Sequence, residues 1–259
     1  MSVVRAIWKA TLTKSAAPAW PCPRCGVGRL LIQKDSVHVV DTKDSKLANL
    51  RDGYHPGNVE GRFVALLRCS ERSCQEPVVV SGTSGYEQEY EPEGREEWSL
   101  YLQPVSVHPS PDIFVIPEAA KWPDPVVKEI RRAFSLYWGD REAAANAIRS
   151  AVEVLLTHLK VRRFALNKNG RRYRLSLDAR LKLLEPTNPA LARGLMAVKW
   201  IGNAGSHPEE LSKDDVLDGF EILDHVMTDA FSRHEKARIA KLAREITRRK
   251  GPRSRRRKT

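Results

Sequence analysis

The sequence predicts an α+β protein with a β-rich front half and an all-α rear half. Three observations predict it. Short β-branched runs broken by turn residues fill the chain to about residue 103, a proline-punctuated stretch follows, and helical periodicity sets in from residue 124. At 259 residues the chain has room for one large domain or two modest ones, and a hydrophobic content of 41% supports a real core.

The expected strands are residues 28–34, 37–41, 62–68, 77–81 and 98–103. Four cysteines, all that the chain has, lie among them as two pairs, Cys22-Pro-Arg-Cys25 and Cys69-Ser-Glu-Arg-Ser-Cys74. A tight turn between two cysteines points two thiolates at one ion, and a second such turn completes a tetrahedral four-sulfur site of the kind zinc takes. The 43 residues between the pairs leave room for strands. Cys22, Cys25, Cys69 and Cys74 are therefore the expected ligands of a structural Zn²⁺, and residues 1–103 the expected zinc-ribbon-like β module. Within it, Tyr86 to Trp98 holds Glu87, Glu89, Glu91, Glu93, Glu96 and Glu97 and reads as a solvated loop.

Residues 104–123 carry Pro104, Pro109, Pro111, Pro117 and Pro123 and read as an extended connector. Asp124, before Pro125, reads as the cap of a first helix running to about Trp138. Asp140 caps a second, whose apolar positions Ala144, Ala147, Ile148, Ala151, Leu155 and Leu159 keep helical spacing. Ser176 caps a short helix to Leu184, and Asn188-Pro189 opens one reaching about Ile201. Ser212 opens a helix with Val216, Phe220, Leu223, Met227 and Phe231 on one face, and a last helix carries Ile239, Leu242 and Ile246. The helical domain spans residues 124–250, and residues 251–259 form a basic tail too charged to fold alone.

The net charge of +12 is uneven. Residues 1–120 carry 13 basic and 15 acidic groups, residues 121–235 carry 19 and 16, and residues 236–259 carry 12 and 1. The excess therefore describes a tail, with Arg253, Arg255, Arg256, Arg257 and Lys258 as a polybasic arm suited to phosphates. A second basic segment, with a turn at Asn169-Gly170, holds Arg162, Arg163, Lys168, Arg171, Arg172 and Arg174. Phe164 and Tyr173 interleave there, as in surfaces on which unpaired bases stack. A solvated hairpin is the plainer reading of the same residues.

Some classes are excluded. There is no phosphate-binding Walker loop, no dinucleotide-binding glycine motif, no His-Glu-x-x-His and no Gly-x-Ser-x-Gly. No apolar run reaches membrane-spanning length and no signal-peptide stretch opens the chain, so a cytoplasmic protein with reduced thiols is expected.

The helical half contains Lys199-Trp-Ile-Gly-Asn-Ala-Gly-Ser-His207, downstream of an alanine-rich helix bearing Arg149 and Glu153. With the cysteine-bearing front half and the proline-rich connector, residues 20–232 resemble the domain-of-unknown-function family numbered 4145. That family occurs alone and beside restriction-endonuclease modules, and its helical part is similar to the HEPN superfamily, found in RNases and defence toxins. The resemblance implies a HEPN-like helical bundle, a homodimer through the helices, and a place in prokaryotic restriction or phage defence. Nuclease members carry an arginine, usually followed by a polar residue, four to six residues before a histidine. Here Asn203 and His207 match the polar residue and the histidine, while the arginine position falls on Gly202, with Lys199 the nearest upstream base. RNA cleavage of this type needs a base near the 2′-hydroxyl and a cation near the scissile phosphate. His207 supplies the first and Gly202 cannot supply the second. The expected function is a zinc-containing, non-catalytic accessory protein that associates with nucleic acid. The alternatives are a metal-independent endoribonuclease using His207, with Asn203, Lys199, Arg149 and Glu153 in its cleft, and a dimeric protein–protein adaptor.

Overall fold

A computed structural model of the chain describes residues 3–90, 96–117, 122–204 and 211–249. A short helix, α1 (Arg5–Lys9), precedes strands β1 (Leu30–Ile32) and β2 (His38–Asp41), helix α2 (Lys43–Asp52), and strands β3 (Gly61–Cys69), β4 (Pro77–Tyr90) and β5 (Glu96–His108). Helices α3 (Asp124–Leu136) and α4 (Arg141–His158) follow. A small hairpin of β6 (Phe164–Leu166) and β7 (Arg172–Arg174) then leads to α5 (Leu177–Leu184), α6 (Pro189–Ala204) and α7 (Lys213–Arg249).

The five front strands form one curled antiparallel sheet. β3 is central: β4 covers one side along most of its length, while β1 and β2 share the other. The alternation of β3 turns Phe63, Ala65 and Leu67 into the core and Arg62, Val64 and Arg68 outward. β4 and β5 are longer than sequence pattern suggests. Their pairing continues to Tyr90 opposite Glu96, so the glutamates at 87, 89, 96 and 97 belong to a hairpin and not to a solvated loop. Glu91 and Glu93 lie outside the described residues. β5 also runs past residue 103, through Pro104. Proline has no N–H to give a ladder, and here it sits opposite Gly82, where the register slips by a bulge. Gly82 fits that irregularity because a Cβ would meet the carbonyl oxygen of Gln103.

In the rear half the capping signals hold at several helix starts. Asp140 accepts from the Ala143 N–H at 2.7 Å and Ser176 from that of Ala179 at 3.2 Å. Ser212 and Asp215 bond each other's backbone N–H groups, a capping box that opens α7. Asp124 lies in the first turn of α3 and does not cap it. The two helices expected after residue 212 are one, α7, of 37 residues. No glycine or proline interrupts it after Gly219, so nothing breaks the hydrogen-bond ladder. Among the described residues no helix is long and apolar enough to cross a membrane.

The halves share one core. Trp138, in the turn after α3, meets Trp20 and Trp8 with ring centroids 4.9 and 6.1 Å away. The Tyr137 hydroxyl donates to the Trp8 carbonyl at 3.3 Å. α1 is then tied to α7, with Arg5 paired to Asp218 and Glu221 and Lys9 to Asp214. Because the aromatic junction belongs to both halves, Trp138→Ala is expected to cost about 3–5 kcal/mol and to shift one common unfolding transition. Urea titration followed by far-UV circular dichroism and by tryptophan fluorescence checks this. Two separate transitions in the wild-type protein would show that the cores are independent.

Candidate metal centre and basic cleft

The cysteines of the front half converge from two loops. The first runs between Trp20 and Leu30, whose backbones bond at 3.1 Å, and turns at Gly26 with φ +67°. The second lies between the paired ends of β3 and β4. Their sulfurs all fall within 4.8 Å of one another, with Cys22 to Cys74 at 3.8 Å and Cys25 to Cys69 at 3.7 Å. These are not disulfide distances; the cysteines are free. A metal held at a Zn–S distance of 2.3 Å sets tetrahedral sulfurs about 3.8 Å apart, so the set fits such an ion.

Backbone N–H groups approach three of the sulfurs at 3.4 Å: Arg24 to Cys22, Gly28 to Cys25 and Glu71 to Cys69. The N–H groups of Gly28 and Val27 draw the Cys25 thiol down to about 6, while burial pushes the Cys69 thiol up to about 12. Gly28 is also a spatial requirement, since a Cβ there would collide with the Cys69 sulfur and press on Glu71.

The second group of residues surrounds α4. Ala145 and Arg149 receive α6 at Gly202, where a Cβ would lie 2.7 Å from the Cβ of Arg149 and 3.0 Å from the Ala145 oxygen. The backbone at residue 202 therefore has no space for a side chain, let alone a cation. Lys199 is committed elsewhere. It is 8% exposed, its ammonium lies 2.8 Å from Asp178 of α5, and it stacks 4.0 Å from the Trp200 ring centroid. The Lys199 and Lys182 ammonium groups together hold the Asp178 carboxyl below the usual carboxylate range. Asn203 is half-buried on the same helix. His207 lies outside the described residues.

Arg149 and Glu153 are an i,i+4 pair at 3.8 Å, but Glu153 has a closer partner in Arg174 of β7, at 2.9 Å. The structure thus joins residues that the sequence suggested for two different roles. The hairpin β6–β7 leans on α4, closed by the Asn167 side chain, which accepts from the N–H groups of Asn169 and Arg171, and by Gly170 at φ +72°. Arg162, Arg163, Lys168, Arg171, Arg172 and Arg174 are all exposed. The Arg172 guanidinium sits 3.9 Å over the Phe164 ring. Arg253, Arg255, Arg256, Arg257 and Lys258 lie outside the described residues.

Sequence reasoning missed Arg180. It is 4% exposed and lies on the face of α5 that buries Leu177, Leu181 and Leu184. Its guanidinium donates to the Glu153 carbonyl, the Thr157 hydroxyl and the Val161 carbonyl at 3.0–3.2 Å, gripping the C-terminal end of α4. The signal was present as an arginine at a core position of a helical pattern.

The metal centre generates a specific expectation. Purified protein should hold about one metal ion per chain, and Gly28→Ala should lower that content although all four thiolates remain. Elemental analysis of both proteins measures it. Undiminished metal in Gly28→Ala would mean that the two loops can move apart without losing the site.

Over residues 10–106 the chain matches the family model described as Domain of unknown function (DUF8608). Over residues 131–249 it matches that described as Domain of unknown function (DUF4145). No curated protein and no solved structure matches the chain. The family resemblance read from Arg149, Glu153 and the Gly202-Asn203 segment is met by a family model for the helical half alone, and it does not extend over residues 20–232 as expected, because the front half matches a different family model.

Proposed function

We propose that the chain is a zinc-containing, non-catalytic nucleic-acid-associated protein, a reading that suits an accessory role in prokaryotic restriction or defence. The observation that carries it is the β6–β7 hairpin. Six exposed cations stand there beside Phe164 and Tyr173, with 37% and 48% of their surface open to solvent. Cations meet phosphates without sequence preference, and an exposed ring such as that of Tyr173 stacks on unpaired bases, while the Phe164 ring carries the Arg172 guanidinium. The thiolate set favours zinc over harder ions, and four protein ligands leave no open position for catalysis, so the metal is structural. Its knuckles at the ends of β1, β3 and β4 support the zinc-ribbon reading of the front half, and the α3–α7 bundle supports the HEPN-like one.

The endoribonuclease reading is disfavoured by packing. A cation cannot stand at residue 202, and Lys199 is held by Asp178. Losing a charge that stabilises the transition state typically removes about 3–4 kcal/mol of stabilisation.

Two measurements test the proposal. Fluorescence anisotropy with single-stranded RNA and DNA over a salt series should show binding that falls with salt. Replacing Lys168, Arg171 and Arg172 by alanine together should reduce the slope of log K against log salt by about 2. An unchanged slope would remove the hairpin from the interface. In parallel, wild-type protein with chelator present should leave structured and single-stranded RNA intact. Cleavage that His207→Ala and Lys199→Ala both abolish, in folded protein, would restore the nuclease reading.

A further inference from the structure

Two adjoining cavities lie where α4, α5 and the β6–β7 hairpin meet, with volumes of about 440 and 390 Å³. Both are lined by Glu153, Arg163 and Arg180. Arg149, Arg174 and the start of α5 at Ser176 complete the smaller one. Pro123, Pro125, Val154 and Lys160 wall the larger.

The charges there do not balance. Four guanidinium groups face a single carboxylate, that of Glu153. Arg174 and Arg149 share that carboxylate, while Arg163 makes no ion pair among the described residues. The Nε atoms of Arg180 and Arg149 are buried and meet no acceptor among the described residues. Arg180 is itself more than nine-tenths buried and lines both cavities, and its Nε–H is a desolvated donor without an acceptor among the described residues. Such a donor, with surplus positive charge around it, is an arrangement for an anion with several oxygens.

We propose that this cleft binds a phosphate group, carried either by a free nucleotide or by the end of a polynucleotide. The phosphate lies in the smaller cavity against Arg180, Arg163 and Arg174. The larger cavity, within the size range of small-molecule sites, has Pro123, Pro125 and Val154 as apolar walls for a sugar or base. The site is separate from the exposed grip of Lys168, Arg171 and Arg172. It shares Arg163 and Arg174 with the hairpin of the proposed nucleic-acid surface, but Arg180 and the cavity walls belong to the cleft alone.

The test titrates the full chain calorimetrically with inorganic phosphate, AMP, adenosine, and a short RNA with and without a 5′-phosphate. Saturable one-site binding of a phosphate-bearing probe, with none for adenosine, is expected. Arg180→Lys keeps the charge but loses the planar fork and should weaken binding about tenfold, with helical circular dichroism unchanged. Should Arg180→Lys fail to fold, exposed Arg163→Ala decides with a comparable loss. The triple substitution at Lys168, Arg171 and Arg172 should leave phosphate and AMP binding as in wild type. AMP binding more tightly than the RNA end identifies a free nucleotide as the source, and the reverse order identifies a polynucleotide terminus. No saturable binding of any phosphate-bearing probe, or wild-type affinity in folded Arg180→Lys and Arg163→Ala, overturns the proposal.

Discussion

The close approach of α6 and α7 to α4 constrains the whole helical half. α4 buries Ala144, Ala145, Ala147 and Ala151 with Ile148, Val152, Leu155 and Leu156, so much of its inner surface is short. Gly202 of α6 sits directly on it, and Gly219 of α7 lies against its Ile148. Between α6 and α7, Gly194 leaves room for Val226. Small residues at these crossings let backbones come close, and interiors packed to crystal-like density have no slack for an added side chain. The same contact that makes the bundle tight leaves residue 202 without room for a side chain.

Positive charge is instead gathered around the C-terminal part of α4. Arg149 and Glu153 belong to that helix, Arg180 reaches the Glu153 carbonyl and the Thr157 hydroxyl from α5, and Arg163 and Arg174 arrive on the hairpin. Arg180 does two things at once. It bonds the carbonyls of Glu153 inside α4 and of Val161 just beyond it, which orients it, and it keeps one buried N–H unmatched. Burial disfavours its charge, and Arg163 and Arg174 add repulsion, against which Glu153 is the attraction. An arrangement with so little compensation is costly for folding alone and favourable for an anionic ligand.

In the front half the four cysteines gather two loops at one point. Where β3 ends and β4 begins, the hydrogen-bonded ladder opens into a loop, and the four cysteine sulfurs bring that loop against the one before β1. A metal there would close two loops around one point, supplying order that two short strands of three and four residues cannot supply alone. Trp20, two residues before the first cysteine, packs on Trp138, so order at the metal centre passes directly into the shared core.

The sequence by itself determined what depends on neighbours along the chain. The two pairs of cysteines, the caps at Asp140, Ser176 and Ser212, the turn at Asn169-Gly170 and the switch from β to helical pattern near residue 120 are all local signals. The extent of β4 and β5 was not legible, because acidic side chains disfavour strands by propensity while pairing of the two hairpin arms overrides it. The unity of α7 depended on the lack of a breaker, which apolar spacing does not report. Only the tertiary structure could crowd Gly202 against Arg149 or set Arg180 beside Arg163 and Arg174. Gly202 and Arg149 are far apart in sequence, Arg163, Arg174 and Arg180 meet only because the hairpin folds back beside α5, and the chemistry of both groups depends on burial, which no spacing rule contains.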